Sequence, residues 1–166
     1  MLLLILSMLP LILFAVALIC SVGKLFIGKE KNFAQFAEIF LSYLLLLNLG
    51  VMSLLAAYAH IFEGPATAAE IGWSPGSPFQ FEMGVTNLSF GVLGVLAFWK
   101  RGAFWDACVI GWCVTFIGCF VGHIRDYYTH HNTAPYNIGP MIWMSDLILP
   151  ILALTLLIYQ RIALRN

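Results

Sequence analysis

The chain opens with the stretch that decides its fold, MLLLILSMLPLILFAVALICSV at residues 1–22, which carries no charged side chain. Only Ser7, Pro10 and Ser21 interrupt its apolar character. An α-helix needs about 20 such residues to cross the ~30 Å hydrocarbon core of a bilayer. The run lacks the basic start of a secretory signal peptide and is longer than its short apolar core. It therefore predicts a membrane-spanning helix that is retained in the protein.

The composition of the 166 residues agrees with this prediction, since 61% are hydrophobic and only 10% are charged. So few charged side chains cannot cover a water-soluble surface, which excludes a soluble enzyme and a disordered segment. The eight Lys and Arg balance the eight Asp and Glu. Because there is no basic excess, nucleic acid is not expected as a partner. The expected partner is the lipid bilayer.

Apolar length and periodicity predict an all-α polytopic membrane protein, a single domain over residues 1–166. The five predicted transmembrane helices lie at about residues 2–22, 36–60, 79–99, 104–124 and 140–160. The third and fourth reach across only by including polar neighbours such as Glu82 and Asp106. Pro140 suits the first turn of the fifth helix, and Pro150 is expected to kink it.

The basic residues give these spans a direction. With five crossings, seven of the eight Lys and Arg fall on one side, and only Arg125 falls on the other. Because basic loops stay in the cytoplasm, we expect the N-terminus outside and the C-terminus inside. The predicted cytoplasmic group comprises Lys24, Lys29, Lys31, Lys100, Arg101, Arg161 and Arg165.

Two predicted helices carry faces of small side chains, which favour close helix packing. In the third span the face comprises Gln80, Gly84, Asn87, Gly91 and Gly94. In the fourth span it comprises Cys108, Gly111, Thr115, Gly118 and Gly122. We expect these two spans to pack on each other, with a homo-oligomer contact through one face as the alternative. Asn48 and Asn87 are expected to hydrogen-bond between helices.

The histidines and most of the acids gather on the predicted outer side. The inner acids are only Glu30, Glu38 and Asp106. Positive-inside sorting accounts for the acids but says nothing about histidine, so the segregation indicates a polar site at the outer leaflet. The outer group comprises His60, Glu63, Glu70, Glu82, His123, Arg125, Asp126, His130, His131 and Asp146.

A candidate metal site lies at the outer end of the fourth span. His123, Asp126 and His130 follow Cys119 at helical intervals, so the four side chains share one face of a continuing helix. Such ligands at this spacing suit Zn, Fe, Cu or Mn. His60 either completes the site or caps its own helix. Haem held by His60 and His123 is a less favoured form of the same hypothesis.

Two further carboxylates are candidate ligand-binding or proton-binding groups. Asp146 lies inside the fifth span, where a carboxylate needs a partner, a proton or a cation. Glu82 lies about one turn into the third span. We expect both to converge with His123 and Asp126 beneath the outer loops. The structural alternative is that Arg125 neutralises Asp126 or Asp146 and that the other polar groups anchor helix ends.

The stretch IGWSPGSPFQFE at residues 71–82, followed by GVTNLSFGVLG at 84–94, resembles a family of small uncharacterised bacterial membrane proteins. The resemblance extends over about residues 36–160 and implies a multi-pass protein of the bacterial inner membrane, with no activity attached. Downstream it rests on His123, Asp126, Asn132, NIGP at 137–140, Trp143 and Asp146.

The sequence leaves two functions open. In the first, the chain binds a metal or a small ligand at the outer site, and no reaction is assigned. In the second, it is a structural or accessory subunit of a larger membrane complex, or a homo-oligomer, without catalysis of its own. A proton-coupled carrier that uses Asp146 and Glu82 is less favoured, because the five spans show no inverted repeat.

Overall fold

A computed structural model describes residues 7–28 and 31–163, which form six helices and no strands. The all-α prediction is therefore confirmed. Residues 1–6, which include the first five of the first predicted span, lie outside the described residues, as do Lys29, Glu30 and Arg165. The helices are α1 Leu9–Ile27, α2 Phe33–Phe62, α3 Gly64–Ile71, α4 Phe79–Ala97, α5 Ala103–His130 and α6 Pro135–Ala163.

Four of these helices, α1, α2, α5 and α6, are long and apolar enough to cross a membrane. Helix α4 is not among the four, since its 19 residues include Gln80, Glu82 and Asn87. Apolar side chains project outward from the long helices, as Ile19 and Val114 do with exposed fractions of 69% and 72%. These features indicate a membrane-embedded protein whose outward faces are compatible with lipid.

Helix α2 lies at the centre of the bundle. In its most apolar window 61% of the residues are buried, compared with 17% in α1 and 28% in α5. Its Leu41, Leu44, Leu45 and Leu49 are buried in one hydrophobic core that also contains Trp112 of α5. The other long helices are therefore arranged around α2.

The small-residue face of α4 packs on α2. A Cβ atom at Gly94 would lie 2.6 Å from the Cα atom of Gly50 and 2.8 Å from the carbonyl oxygen of Leu45. Only glycine at position 94 permits this approach of two backbones. Gly84 and Gly91 continue the contact with α2 toward the start of α4.

The expected packing of the third span on the fourth is observed only in part, because the small-residue face of α4 makes its closest contacts with α2. On α5, Gly111 faces the ring of Phe90, whose Cε1 atom would lie 3.2 Å from an added Cβ, whereas Gly118 and Gly122 face open space. A row of small residues indicates that another helix comes close, but it does not identify that helix. Gly50 of α2 supplies the matching small residue for α4, at a position that the sequence pattern did not single out.

Helix α2 is widened where α4 crosses it. Residues Leu45–Val51 form a π-helical turn, and within it Asn48 donates a 2.9 Å hydrogen bond to the carbonyl of Pro10 in α1. The predicted interhelical bond of Asn48 is confirmed. The same prediction for Asn87 is wrong, because its amide donates to Met83 in its own helix.

A second π-helical turn, Trp143–Ile148, interrupts α6 shortly before Pro150. The N–H of Leu149 donates to the carbonyl of Met144, five residues earlier. Because Pro150 has no N–H, the regular hydrogen-bond ladder cannot continue through it. The distortion expected at this proline takes the form of the wide turn that precedes it.

Ion pairs connect the helices at the end of the bundle opposite the histidines. Arg161 of α6 donates from Nη2 (2.8 Å) and Nε (2.9 Å) to Asp106 of α5. Arg101, which follows α4, pairs with Glu38 of α2. The first pair joins the end of α6 to the start of α5, and the second joins the segment after α4 to the start of α2.

Replacing Gly94 with alanine is expected to lower the free energy of unfolding by about 1–3 kcal/mol, because the methyl group would press on backbone atoms that cannot rotate away. Gly118→Ala is the matched control, since it meets no atom within 4 Å, and it is expected to change stability by less than about 1 kcal/mol. Denaturant titration in mild detergent, followed by tryptophan fluorescence, measures both. Equal stability of the two variants would contradict the contact.

Candidate functional site

The candidate site begins where α3 ends. Gly72 follows the helix with φ at 81°, in the left-handed region that favours glycine. A side chain there would also collide with the amide of Asn132, which donates a 2.8 Å hydrogen bond to the carbonyl of Ile71. The sharp turn at Gly72 brings Trp73 over the C-terminal end of α5.

Trp73 connects three parts of the structure. Its ring stacks on the ring of His123 in α5, with centroids 5.6 Å apart and an interplanar angle of 7°. Phe79, at the start of α4, meets it edge to face at 5.6 Å. The indole Nε1 donates a 3.1 Å hydrogen bond to Oδ2 of Asp126. The indole is therefore fixed both by stacking and by hydrogen bonding.

Asp126 is held by side chains from three segments. Its Oδ2 accepts hydrogen bonds from Trp73 and, at 2.7 Å, from the amide of Asn132. Its Oδ1 lies 2.7 Å from Nδ1 of His130, one turn later in α5. The Asp126 side chain is 17% exposed, whereas that of His130 is 75% exposed. The carboxylate is thus fixed in place mainly through one oxygen.

Asn137, at the start of α6, links this cluster to His123 and is completely buried. Its amide nitrogen donates a 2.9 Å hydrogen bond to the carbonyl of Asn132, which leaves its Oδ1 as the acceptor. Nδ1 of His123, 2.8 Å from that oxygen, is therefore the donor. This bond assigns the proton of the imidazole to Nδ1 and fixes the plane of the ring.

A cleft of about 620 Å³ opens beside these groups. Its walls include Trp73, Phe79 and Gln80, and Asp126 and His130 also line it. A carboxylate and an imidazole next to two aromatic rings form the combination of apolar surface and few polar groups that is typical of small-molecule sites. This cleft is the candidate functional site.

The other candidate residues lie apart from the cleft. His60 is bonded through Nδ1 to Oε1 of Gln80 at 2.7 Å and lines a smaller neighbouring depression. The side chains of Glu82 and Arg125 are exposed. Asp146 is buried within α6 and accepts a 2.8 Å hydrogen bond from Ser145. The expected convergence of Glu82 and Asp146 with His123 and Asp126 is not observed.

The predicted row of metal ligands on α5 does not assemble into a metal-binding group. Within residues 7–28 and 31–163, no three or more His, Cys, Asp and Glu side chains come together to hold a metal ion. His123 is bonded to Asn137 and stacked on Trp73, and Asp126 and His130 are bonded to each other.

Sequence reasoning assigned no role in the site to Trp73, Asn132 or Asn137. All three lie in the stretches at 71–82 and 132–140 that carry the family resemblance, which was the available signal. Their roles depend on how two connections fold, and helical periodicity does not describe connections.

Comparison with known protein families assigns the chain to a family. A family model described as a family of unknown function, DUF6790, matches residues 7–166. The chain belongs to the DUF6790 family. No curated protein and no solved structure matches it. The expected membership of an uncharacterised family is confirmed, and DUF6790 carries no activity over to this chain.

Replacing Asn137 with alanine is expected to destabilise the protein by about 2–4 kcal/mol, because it leaves buried groups of His123 and Asn132 without their partners. Thr129→Ala, which removes an exposed hydroxyl of the same region, is expected to cost less than about 1 kcal/mol. Thermal unfolding of both variants in detergent tests this prediction. A value for Asn137→Ala as small as that of the control would show that the amide is not structural.

Proposed function

We propose that this protein crosses a bacterial inner membrane five times, with its N-terminus outside, and binds a small organic ligand in the cleft at its outer end. The family resemblance favours a bacterial membrane. Helix α4, the predicted third span, is the crossing that joins the four long apolar helices. The ligand anchor is Asp126. The evidence for the membrane crossing of α4 is independent of the evidence for the role of Asp126.

Helix α4 extends from one end of the bundle to the other. Gln80 in its first turn is bonded to His60 near the outer end of α2, and Ala97 in its last turn accepts a 2.7 Å hydrogen bond from the indole of Trp105 at the inner end. Its polar Gln80 and Asn87 are buried against protein. A helix of lower hydropathy is able to cross a membrane when its polar face is covered in this way.

The five-span topology predicts that two exposed positions at the two ends of α4, Ser77 and Lys100, lie on opposite sides of the membrane. An impermeant maleimide should label Ser77→Cys in spheroplasts, and should label Lys100→Cys only after permeabilisation. The unsubstituted protein provides the background, because none of its four cysteines is exposed. Labelling of both positions from outside would show that α4 does not cross.

The observation that carries the binding proposal is the position of Asp126 at the cleft. Hydrogen bonds from Trp73 and Asn132 fix the carboxylate, and aromatic rings form the adjoining wall. Rigid placement of one charged group beside an apolar wall lowers the entropy cost of binding a ligand. Among the described residues that line the cleft, two commonly bind transition metals, Asp126 and His130. Because structural metal sites use more ligands than this, the donor set favours an organic ligand over a metal ion.

Native mass spectrometry of protein purified in mild detergent tests the binding proposal. We expect a small molecule to be retained by the unsubstituted protein and lost from Asp126→Asn. Asp106→Asn, which removes a carboxylate from the opposite end of α5, should retain it.

The proposal is wrong if the unsubstituted protein carries no small molecule and no compound in a broad library raises its melting temperature. It is also wrong if Asp126→Asn retains the molecule. Recovery of a stoichiometric protein partner together with an empty cleft would favour the accessory-subunit hypothesis instead.

A further inference from the structure

The carboxylates at the two ends of the bundle are stabilised by different kinds of partner. At the inner end, Glu38 and Asp106 are paired with Arg101 and Arg161. At the outer end, the Oδ2 atom of Asp126 is held by an indole and an amide, which carry no charge. Neutral donors orient a carboxylate without cancelling its charge.

The basic residue nearest in sequence does not neutralise Asp126. Arg125 is exposed and forms no ion pair with any described residue. Four other acids lie at the outer end. Asp146 is buried in α6, and the other three, Glu63, Glu70 and Glu82, are exposed or half-buried. No other Lys or Arg occurs between residues 32 and 99 or between 102 and 160. The outer end therefore has an excess of negative charge, which raises the local concentration of cations.

The two oxygens of Asp126 differ in what they can still accept. Oδ2 already accepts two hydrogen bonds, from Trp73 and Asn132. Oδ1 has one protein partner, His130, whose side chain is 75% exposed and is therefore able to swing away. A carboxylate oxygen has about two acceptor positions, so Oδ1 retains capacity for a ligand.

The cleft beside this oxygen is walled by Trp73 and Phe79. The faces of aromatic rings attract cations within about 6 Å, and tryptophan does so best. The stack on His123 and the bond to Asp126 hold the indole in position before a ligand arrives. A carboxylate beside a fixed indole is the environment that suits an alkylammonium group.

We infer that the cleft binds an organic ammonium cation, with the cationic group between Oδ1 of Asp126 and the ring of Trp73. This inference rests on the proposed ligand cleft and names the chemical class of its ligand. The ammonium group belongs either to a free amine or to the headgroup of a lipid, because both sources present the same chemistry at the outer membrane surface.

Isothermal titration with two compounds of nearly equal shape tests the inference. Choline is the cationic probe, and 3,3-dimethyl-1-butanol, in which carbon replaces the nitrogen, is its neutral match. In nanodiscs of phosphatidylglycerol we expect the Kd for choline to be at least about tenfold lower than for the alcohol. In nanodiscs of phosphatidylcholine, weakening of choline binding by a similar factor would identify the lipid headgroup as an occupant, and unchanged binding would identify a free amine.

Variants assign the binding to the cleft. Asp126→Asn should raise the Kd for choline by about tenfold or more, and Trp73→Leu should raise it several-fold. Glu82→Gln is the matched control, because it removes an exposed acid of the same end that does not line the cleft; its Kd should stay within about twofold. If Asp126→Asn fails to fold, His130→Ala replaces it, and this variant should bind choline at least as tightly because Oδ1 is uncovered.

The inference is overturned, with the proposed function left standing, if the alcohol binds as tightly as choline or if a different ligand is retained and choline does not compete with it. Equal losses in Asp126→Asn and Glu82→Gln would also overturn it, because they would reflect the general negative field. Weaker choline binding by His130→Ala would show that Oδ1 is not the contact. The ligand-retention experiment decides separately whether the cleft binds anything.

Discussion

The contact between Gly50 and Gly94 is the constraint on which the bundle depends. In a bilayer the surrounding lipid is as apolar as the helices, so helices associate through close packing and hydrogen bonds. Here two backbones touch with no side chain between them. The π-helical turn Leu45–Val51 lies at this contact and lets Asn48 reach Pro10. One position along α2 therefore fixes both α1 and α4.

The position of the cleft follows from that arrangement. With α4 fixed on α2, its first turn lies beside His60, and the hydrogen bond to Gln80 holds it there. The connection from α3 to α4 turns at Gly72, and Trp73 then stacks on His123 of α5. The completely buried Asn137 then closes the network from α6. The cleft is a product of tertiary structure, assembled from segments that are far apart in the sequence.

The sequence predicts correctly those features that depend on a single segment of the chain, such as its apolar length or its small-residue face. Apolar length identified the long helices, and the small-residue face of α4 is indeed buried. The sequence does not identify the closest partner of that face, because Gly111 of α5 and Gly50 of α2 offer similar small surfaces. The expected convergence of Glu82 with His123 and Asp126 failed for a different reason. It follows Gln80 by two residues, about 200° around a helix, so burial of Gln80 already implied an exposed Glu82.

Asp126 and Asp146 look alike in the sequence, as single acids near the outer ends of two predicted spans, yet their surroundings differ. Asp126 lies at the margin of the apolar region, where donors from two connections and from its own helix surround it. Asp146 lies within a π-helical turn of α6 and is bonded to the neighbouring Ser145. A carboxylate meets a ligand only where it is both oriented and accessible, and of these two residues Asp126 alone satisfies both conditions.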